Sequence, residues 1–194
     1  MTEAAPKFAT YEDLCSMPED TRAEIIAGTI INAPAPLPRH SWAQRALGSF
    51  IGRPFADDHE RGGPGGWWIF VEVDVRLSPH DVLRPDLSGW RRERLPNPAD
   101  QRPIDVVPDW VCEILSPSTA TRDRVVKRRL YAAHQVPYFW LVDTESRTLE
   151  AFALRDGHWV LLDTFDEDST AQIPPFEEAE LEVGRLFLPR PAAL

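Results

Sequence analysis

The 194-residue chain is expected to fold as one α/β domain, and three observations carry that expectation. Residues from Val107 to Asp143 read as strand, helix and strand; Arg22 to Asn32 and Thr148 to Leu162 each read as a β-hairpin; and Trp67 to Leu77 alternates apolar with polar residues, as a half-buried strand does. With 43% hydrophobic residues and seven tryptophans the chain can fill a core, and its length suits a single unit over residues 1–194.

Met1 to Ala9 is expected to be a loose tail. Thr10-Tyr11-Glu12-Asp13 has the pattern of a capped helix start, and Pro18 stops that helix. The hairpin that follows turns at Ala27-Gly28 and carries Glu24 in its first arm, where an acid is ordinarily solvated. A proline-rich stretch leads into a helix from about Arg39 to Ile51, with Ala43, Leu47, Phe50 and Ile51 as its apolar stripe. His40 falls on the same side, in the first turn, where a histidine is more often a packing residue than a ligand. Arg61 to Gly66 is expected to be a turn: it is too irregular to cradle a phosphate, and no Lys-Ser/Thr pair follows it.

In Trp67–Leu77 the alternation puts Ile69, Val71, Val73, Val75 and Leu77 on one face and Phe70, Glu72, Asp74 and Arg76 on the other. Ser78 to Leu83 then turns the chain, and Arg84-Pro85-Asp86 opens the partner strand, because proline is tolerated at a strand start. Arg91 to Asp105 is polar and proline-containing and reads as a surface loop. It holds Arg91, Arg92, Arg94 and Arg102, the densest basic run outside the central helix.

Val107 to Leu115 is apolar or β-branched and bounded by prolines, as a buried strand is; period two places Val111, Glu113 and Leu115 on one face and Trp110, Cys112 and Ile114 on the other. Glu113 is therefore a carboxylate in an apolar run, a group seldom fully buried unless it is paired or binds a metal. Ser118 or Thr119 can cap a helix reaching about His134, with Val126, Leu130 and Ala133 as its stripe and Asp123 and Lys127 within or beside it. Spaced i and i+4, that pair could simply be an ordinary helix ion pair worth a few tenths of a kcal/mol. Tyr138 to Asp143 is the second strand. Thr148–Leu154 pairs with His158–Leu162 across Arg155-Asp156-Gly157, Asp163 to Thr170 is an acidic loop, and Phe176 to Phe187 is a short helix or strand.

Composition excludes several classes of function. Cys15 and Cys112 are far apart and lack metal-ligand spacing, which fits a reducing cytoplasm and no disulfide framework. No apolar run approaches the roughly 18 residues of a membrane span, and the N-terminus lacks a signal pattern, so a cytoplasmic protein with no membrane partner is expected. A net charge of -10 argues against polyanion binding over the whole surface; any nucleic acid must meet a local basic patch.

The chemistry rests on Asp86 and Glu113. On neighbouring strands about 4.8 Å apart their carboxylates can converge. Asp109, four residues before Glu113 on one strand, would lie roughly 13 Å away and cannot share a small ion with it. Two carboxylates about 4 Å apart repel by roughly 4 kcal/mol at an effective dielectric near 20, so the site requires a cation or a shared proton. Magnesium or manganese fits, since magnesium takes one or two carboxylates and keeps several waters, one of which can become a nucleophile near an ammonium such as Lys127.

Pro85-Asp86, Val111-Cys112-Glu113-Ile114-Leu115-Ser116-Pro117-Ser118, Asp123, Lys127, Tyr131 and Val136-Pro137-Tyr138-Phe139-Trp140-Leu141-Val142-Asp143, with Glu24-Ile25-Ile26-Ala27-Gly28 and Pro38-Arg39-His40, resemble the Uma-type restriction endonuclease family of the PD-(D/E)XK nuclease superfamily. The resemblance covers most of the chain. It implies a restriction-endonuclease-like mixed β-sheet flanked by helices, with a crossover helix after the Glu113 strand and additional antiparallel strands. It also implies DNA as substrate, Asp86 and Glu113 as metal ligands and catalytic residues, and Lys127 as a catalytic lysine moved onto the helix, because Leu115 stands where the signature lysine would be. Glu24, His40 and Asp123 become candidates to support those ligands, and Arg91, Arg92, Arg94 and Arg102 candidates for DNA contact. Two-strand cleavage by nucleases of this type implies a homodimer. Removing Lys127 is expected to leave fold and metal binding intact. Two alternatives stay open: an inactive nuclease fold used for binding or scaffolding, favoured by Leu115 and the acidic charge, and a metal hydrolase of small phosphoesters.

Overall fold

A computed structural model of the chain describes residues 8–19, 21–56 and 63–190. In chain order, α1 (Tyr11–Cys15) precedes the hairpin of β1 (Ala23–Ile26) and β2 (Thr29–Asn32), and α2 (Pro38–Ile51) runs on into a π-helical turn, Gly52–Ala56. Then come β3 (Trp67–Val71), β4 (Val75–Ser78), β5 (Asp81–Leu83), β6 (Leu87–Arg91) and β7 (Trp110–Leu115). A π-helical segment, Arg122–Lys127, continues as α3 (Arg128–Ala133) and delivers the chain to β8 (Tyr138–Asp143). The hairpin of β9 (Thr148–Arg155) and β10 (His158–Asp166) follows, then the short β11 (Thr170–Gln172) and β12 (Glu180–Glu182) and a 3-10 turn, Val183–Leu186.

The main sheet has the order β10-β9-β8-β7-β6-β3. β7 and β8 are parallel, as a helical crossover requires, while the other neighbours run antiparallel, so the sheet is mixed and flanked by helices as expected. Alternation along β7 divides the core in two. Trp110, Cys112 and Ile114 join Trp140 and Val142 on the face covered by α2 (Ala43, Leu47, Ile51) and the C-terminal residues Phe176, Leu181 and Leu186. Val111 and Leu115 join Phe139, Leu141 and Phe152 on the other face, under Tyr131 and Val136 after the crossover and Ile26 and Leu83 of a smaller sheet ordered β2-β1-β5-β4. Glu113 shares this second face. Leu115, in the place of the signature lysine, is a core residue.

Both hairpins form where expected. Each turns through two residues with positive φ, Ala27 (48°) and Gly28 (73°) in one and Asp156 (49°) and Gly157 (77°) in the other, which matches the right-handed strand twist. Gly28 has a second reason to be glycine: the Phe8 ring occupies the space a Cβ would fill. Phe8 and Ala9 are accordingly docked rather than loose, with Ala9 N donating to Gly28 O at 2.9 Å. Residues 1–7 of the expected tail and residues 61–62 of the expected turn lie outside the described residues.

Four other expectations are corrected. Trp67–Leu77 is two strands, because Glu72 adopts φ 52° and takes the chain from the main sheet into the smaller one. The Glu72 carboxylate is held there by Arg22 at 2.7 Å and Gln44 at 3.2 Å. Ser78 to Leu83 contains β5 as well as a turn, and β10 extends through most of the expected acidic loop, to Asp166. Finally, of the expected stripe on the crossover helix Leu130 packs against the core but Val126 does not. Val125 and Val126 are each 39% exposed, whereas Asp123, Lys127 and Tyr131 face the sheet. The π-helical turns change which residues share a face, and the buried charges find partners on β1 and β7.

The crossover ends in a Schellman motif, with Gln135 N donating to Ala132 O and Val136 N to Tyr131 O, both at 3.0 Å. Gln135 sits at φ 60°, a conformation that favours glycine. Gln135→Gly should therefore stabilise the fold by about 0.5 to 1 kcal/mol in urea titration, and a loss of stability would refute this account of the cap.

Candidate active site

The pairing of β6 with β7 decides where the two expected ligands stand. Leu87 is registered with Cys112, so one step back along the antiparallel ladder sets Asp86 opposite Glu113. Pro85 keeps Asp86 at the strand entrance, where its carbonyl accepts the Glu72 N–H at 3.4 Å and the Gln44 side-chain amide at 3.1 Å. One Asp86 oxygen accepts the Ile114 N–H at 2.6 Å, and the other meets His40 Nε2 at 3.1 Å. His40 reaches it because α2 packs on this end of the sheet with His40, Ala43, Leu47 and Ile51 inward.

Glu113, 2% exposed, reaches into the layer between the sheet and the crossover. Lys127 Nζ lies 3.1 and 3.2 Å from its two oxygens, and the Tyr131 hydroxyl donates to Oε1 at 2.5 Å. Lys127 is closer still to Glu24, at 2.8 Å, and stands 3.7 Å from Asp123. The ordinary helix pair is thus the weakest of its contacts. Nor is Glu24 a solvated hairpin acid: it is 3% exposed, and its Oε1 also accepts the Arg84 N–H at 2.8 Å. Being short, the hairpin arm brings its acid under the sheet edge instead of into water.

This cluster has more acid than base. Burial pushes the Glu113 carboxyl well above its usual range, and Asp123, Asp86 and Glu24 push it further, against the pull of Lys127. Burial also raises Asp123 and Tyr131. For Lys127 burial acts downward, yet Glu113, Glu24 and Asp123 together hold the ammonium above its ordinary value. The state with Lys127 charged satisfies both partners, and it leaves the carboxyl group short of compensating positive charge. Glu24 Oε2 and Asp123 Oδ1 are buried without a hydrogen-bond partner.

Asp86, Glu113, Glu24, Asp123 and Lys127 line one cavity of about 60 Å³, room for an ion and a few waters. Its donors are hard carboxylate oxygens, which fit magnesium or manganese. Among the described residues no group of three or more His, Cys, Asp or Glu side chains could enclose a metal, so an ion here would complete its shell with water or substrate. Arg122 also lines the cavity, with its Nε buried and without a hydrogen-bond partner. Sequence reasoning missed Arg122 and Tyr131 as site residues. The Asp123, Lys127, Tyr131 spacing of four was the available signal for Tyr131; Arg122 had none.

The structure does not bring the basic loop to this cavity. Arg91 lies over the Trp67 ring at 4.2 Å, Arg92 over Trp68 at 4.2 Å, and Arg94 pairs with Asp109 at 2.5 Å. Arg102 is exposed, 3.6 Å from Asp74. Asp109, committed to Arg94 and the Arg91 N–H, takes no part in the site, as expected.

Two expectations follow. Lys127→Ala should cost about 3 to 5 kcal/mol of stability, since it strands buried carboxylates, and pairing it with Glu113→Gln should recover part of that loss. Chemical denaturation that finds the single variant as stable as wild type would refute the cluster and restore the earlier expectation. For His40, burial lowers the pKa but the Asp86 hydrogen bond and charge override it, giving a net rise. Its contribution is then full below the ordinary histidine value of about 6.5 and lost as pH climbs through the higher folded value. The melting-temperature advantage of wild type over His40→Gln should shrink across that interval; an advantage that grows with pH would contradict it.

Residues 8–184 match the Uma2 family, described as "Putative restriction endonuclease". A solved structure described as a putative nuclease belonging to DUF820, from Anabaena variabilis, is similar with a TM-score of 0.71 and 26% identity, over 91% of this chain and 96% of that one. No curated protein matches the chain. Because the family match spans nearly the whole described fold, including every residue that lines the Asp86–Glu113 cavity, the chain belongs to the Uma2 family of nuclease-type proteins with a restriction-endonuclease-like fold.

Proposed function

We propose that the protein is a divalent-metal-dependent endonuclease that hydrolyses DNA phosphodiesters at the Asp86–Glu113 cavity. The observation that carries this reading is the buried Lys127 ammonium on Glu113, directly beside the strand entrance that holds Asp86. A divalent cation held by Asp86 and Glu113 would polarise a phosphoryl oxygen and lower the pKa of a bound water. Tyr131 and Lys127 orient the Glu113 carboxylate, and His40 and the Ile114 amide orient that of Asp86. Lys127 supplies fixed positive charge against the charge that grows on the phosphate oxygens, the role that the strand lysine of the superfamily signature would otherwise fill. Arg122, unpaired among the described residues, is placed to hold a non-bridging oxygen of the same phosphate.

One observation favours a second reading, an inactive nuclease fold. Both oxygens of Asp86 and both of Glu113 already have protein partners, so a metal must share or displace them.

Manganese titration separates the two readings. If the first holds, magnesium or manganese raises the melting temperature of wild type but not of Asp86→Asn, and Glu113→Gln lowers cleavage of plasmid or branched DNA by about 100-fold or more. Equal thermal shifts in wild type and Asp86→Asn, with no cleavage by wild type in either metal, would establish the inactive fold. Cutting both strands of a duplex calls for two such sites, so the proposed active form is a homodimer, checked by light scattering with and without DNA.

A further inference from the structure

On the side of α2 turned away from the main sheet lies a groove of about 770 Å³, closed on its far side by β12, the 3-10 turn and the residues after it. Its composition is unusual for this chain. The net charge is -10, yet the groove is lined by Arg45, Arg53, Arg147 and Arg185, with Glu180 as the one acidic lining residue among those described. Its apolar lining includes two half-buried aromatic side chains of α2, Trp42 and Phe50, with Leu181 and Pro189 across from them.

The four arginines are not equivalent. Arg147 is committed to Glu167, to Leu188 O and to the Phe187 ring, and Arg185 to Glu182 at 2.8 Å. Arg45 and Arg53 form no ion pair among the described residues; the Arg45 guanidinium instead lies over the Trp42 ring, 4.5 Å from its centroid. Trp42, Arg45, Ser49 and Arg53 follow one another at intervals of three and four residues, so α2 and the π-helical turn that continues it present a repeating aromatic and cationic edge to the groove. From Trp42 to Arg53 that edge runs about 16 Å at 1.5 Å per residue. α2 also supplies His40, which touches Asp86 from its inward face one half-turn earlier.

We propose that this groove binds unpaired nucleic acid, holding the single strand that flanks the phosphodiester in the Asp86–Glu113 cavity. The inference rests on the nuclease reading for its link to cleavage, but not for binding itself. Arginines without an ion-pair partner among the described residues, set at intervals along an edge, match backbone phosphates, and the half-buried Trp42 and Phe50 rings beside them offer stacking surfaces to bases freed from a duplex. A duplex has its bases stacked inside and could use only the charges. The expected basic loop has its arginines engaged or remote from the cavity, whereas Arg45 and Arg53 have no anionic partner among the described residues and therefore have charge to offer.

The test is fluorescence anisotropy with a labelled oligothymidine and a duplex of the same length, in EDTA so that nothing is cleaved. Wild type should bind the single strand more tightly. Arg45→Gln with Arg53→Gln should lower that affinity at least tenfold at low salt and reduce the log–log salt slope by about 1.4, two contacts at roughly 0.7 each. Trp42→Leu should weaken binding about tenfold with the slope unchanged, since it removes stacking and no charge. All variants are first checked for wild-type melting temperature; if Trp42→Leu fails that check, Phe50→Leu takes its place. Unchanged affinity and slope in the double arginine variant, or tighter binding of the duplex, would overturn the proposal. An acidic peptide competing more strongly than the oligonucleotide would overturn it too, and would mark the groove as a protein-docking surface. Hydrolysis of bis(p-nitrophenyl) phosphate, too small to span the groove, separates this inference from the nuclease reading. The arginine variant should retain that activity, and a wild type that binds oligothymidine but hydrolyses no phosphodiester would sink the nuclease reading and leave the binding groove standing.

Discussion

A single lysine ammonium, 4% exposed and ringed by Glu24, Glu113 and Asp123, is the interaction on which the rest of this structure depends. Burying any one of these carboxylates alone would be prohibitive, and burying the lysine alone equally so. Together they are tolerated, and each then fixes a different part of the chain. Glu24 ties the N-terminal hairpin to the site, Glu113 ties in the centre of the main sheet, and Asp123 ties in the start of the crossover. Such a cluster is not an efficient way to stabilise a protein, because an apolar replacement of similar volume is often as good or better. Its presence is better explained by what it prepares: three buried carboxylates that share one ammonium at the wall of the cavity.

Two structural layers meet at that pocket. α2 covers one face of the main sheet and sends His40 to Asp86, while the crossover covers the other and sends Lys127 and Tyr131 to Glu113. The carboxylates are neighbours only because β6 and β7 are antiparallel with Leu87 against Cys112. A slip of one residue would turn Glu113 away from the crossover and onto the tryptophan-rich face, so the packing of Trp110 and Trp140 on that face enforces the register as well as the stability. The departure at Leu115 fits the same logic. A lysine there would lie in the apolar cluster of Phe139 and Leu141, and the crossover helix supplies the charge from above instead.

Charge is partitioned over the molecule in a way the net value conceals. The cavity sets four carboxylates among Arg22, Arg84, Arg122 and Lys127 and offers carboxylate oxygens to a cation, while the α2 groove is basic and suits an anion. A polyanionic chain threading from one to the other would need a cation at the first and arginines at the second. An acidic protein can meet both demands without a broadly basic surface, and long-range attraction to any polyanion would then be weak and the local fit decisive.

What the sequence determined by itself was mostly periodic or local. Alternation in Val107–Leu115 put Glu113 with Val111 and Leu115 on one face, turn chemistry at Ala27-Gly28 and Asp156-Gly157 located the hairpins, and the spacing of Ala43, Leu47 and Ile51 gave α2 with His40 inward. These are properties of a few residues and their neighbours, so they survive without knowledge of the fold. The rest needed the tertiary structure. Hydropathy assigned Val126 to the core and Lys127 to its margin, and the assignment reversed because a buried charge is governed by its partners, here on strands far off in sequence. Glu24 looked like a solvated hairpin acid until the smaller sheet brought it under the crossover. Glu72 divided what reads as one strand because its backbone entered the positive-φ region, which the alternation of side chains cannot report. Periodicity records which face a residue shares with its neighbours; only the folded chain decides what that face meets.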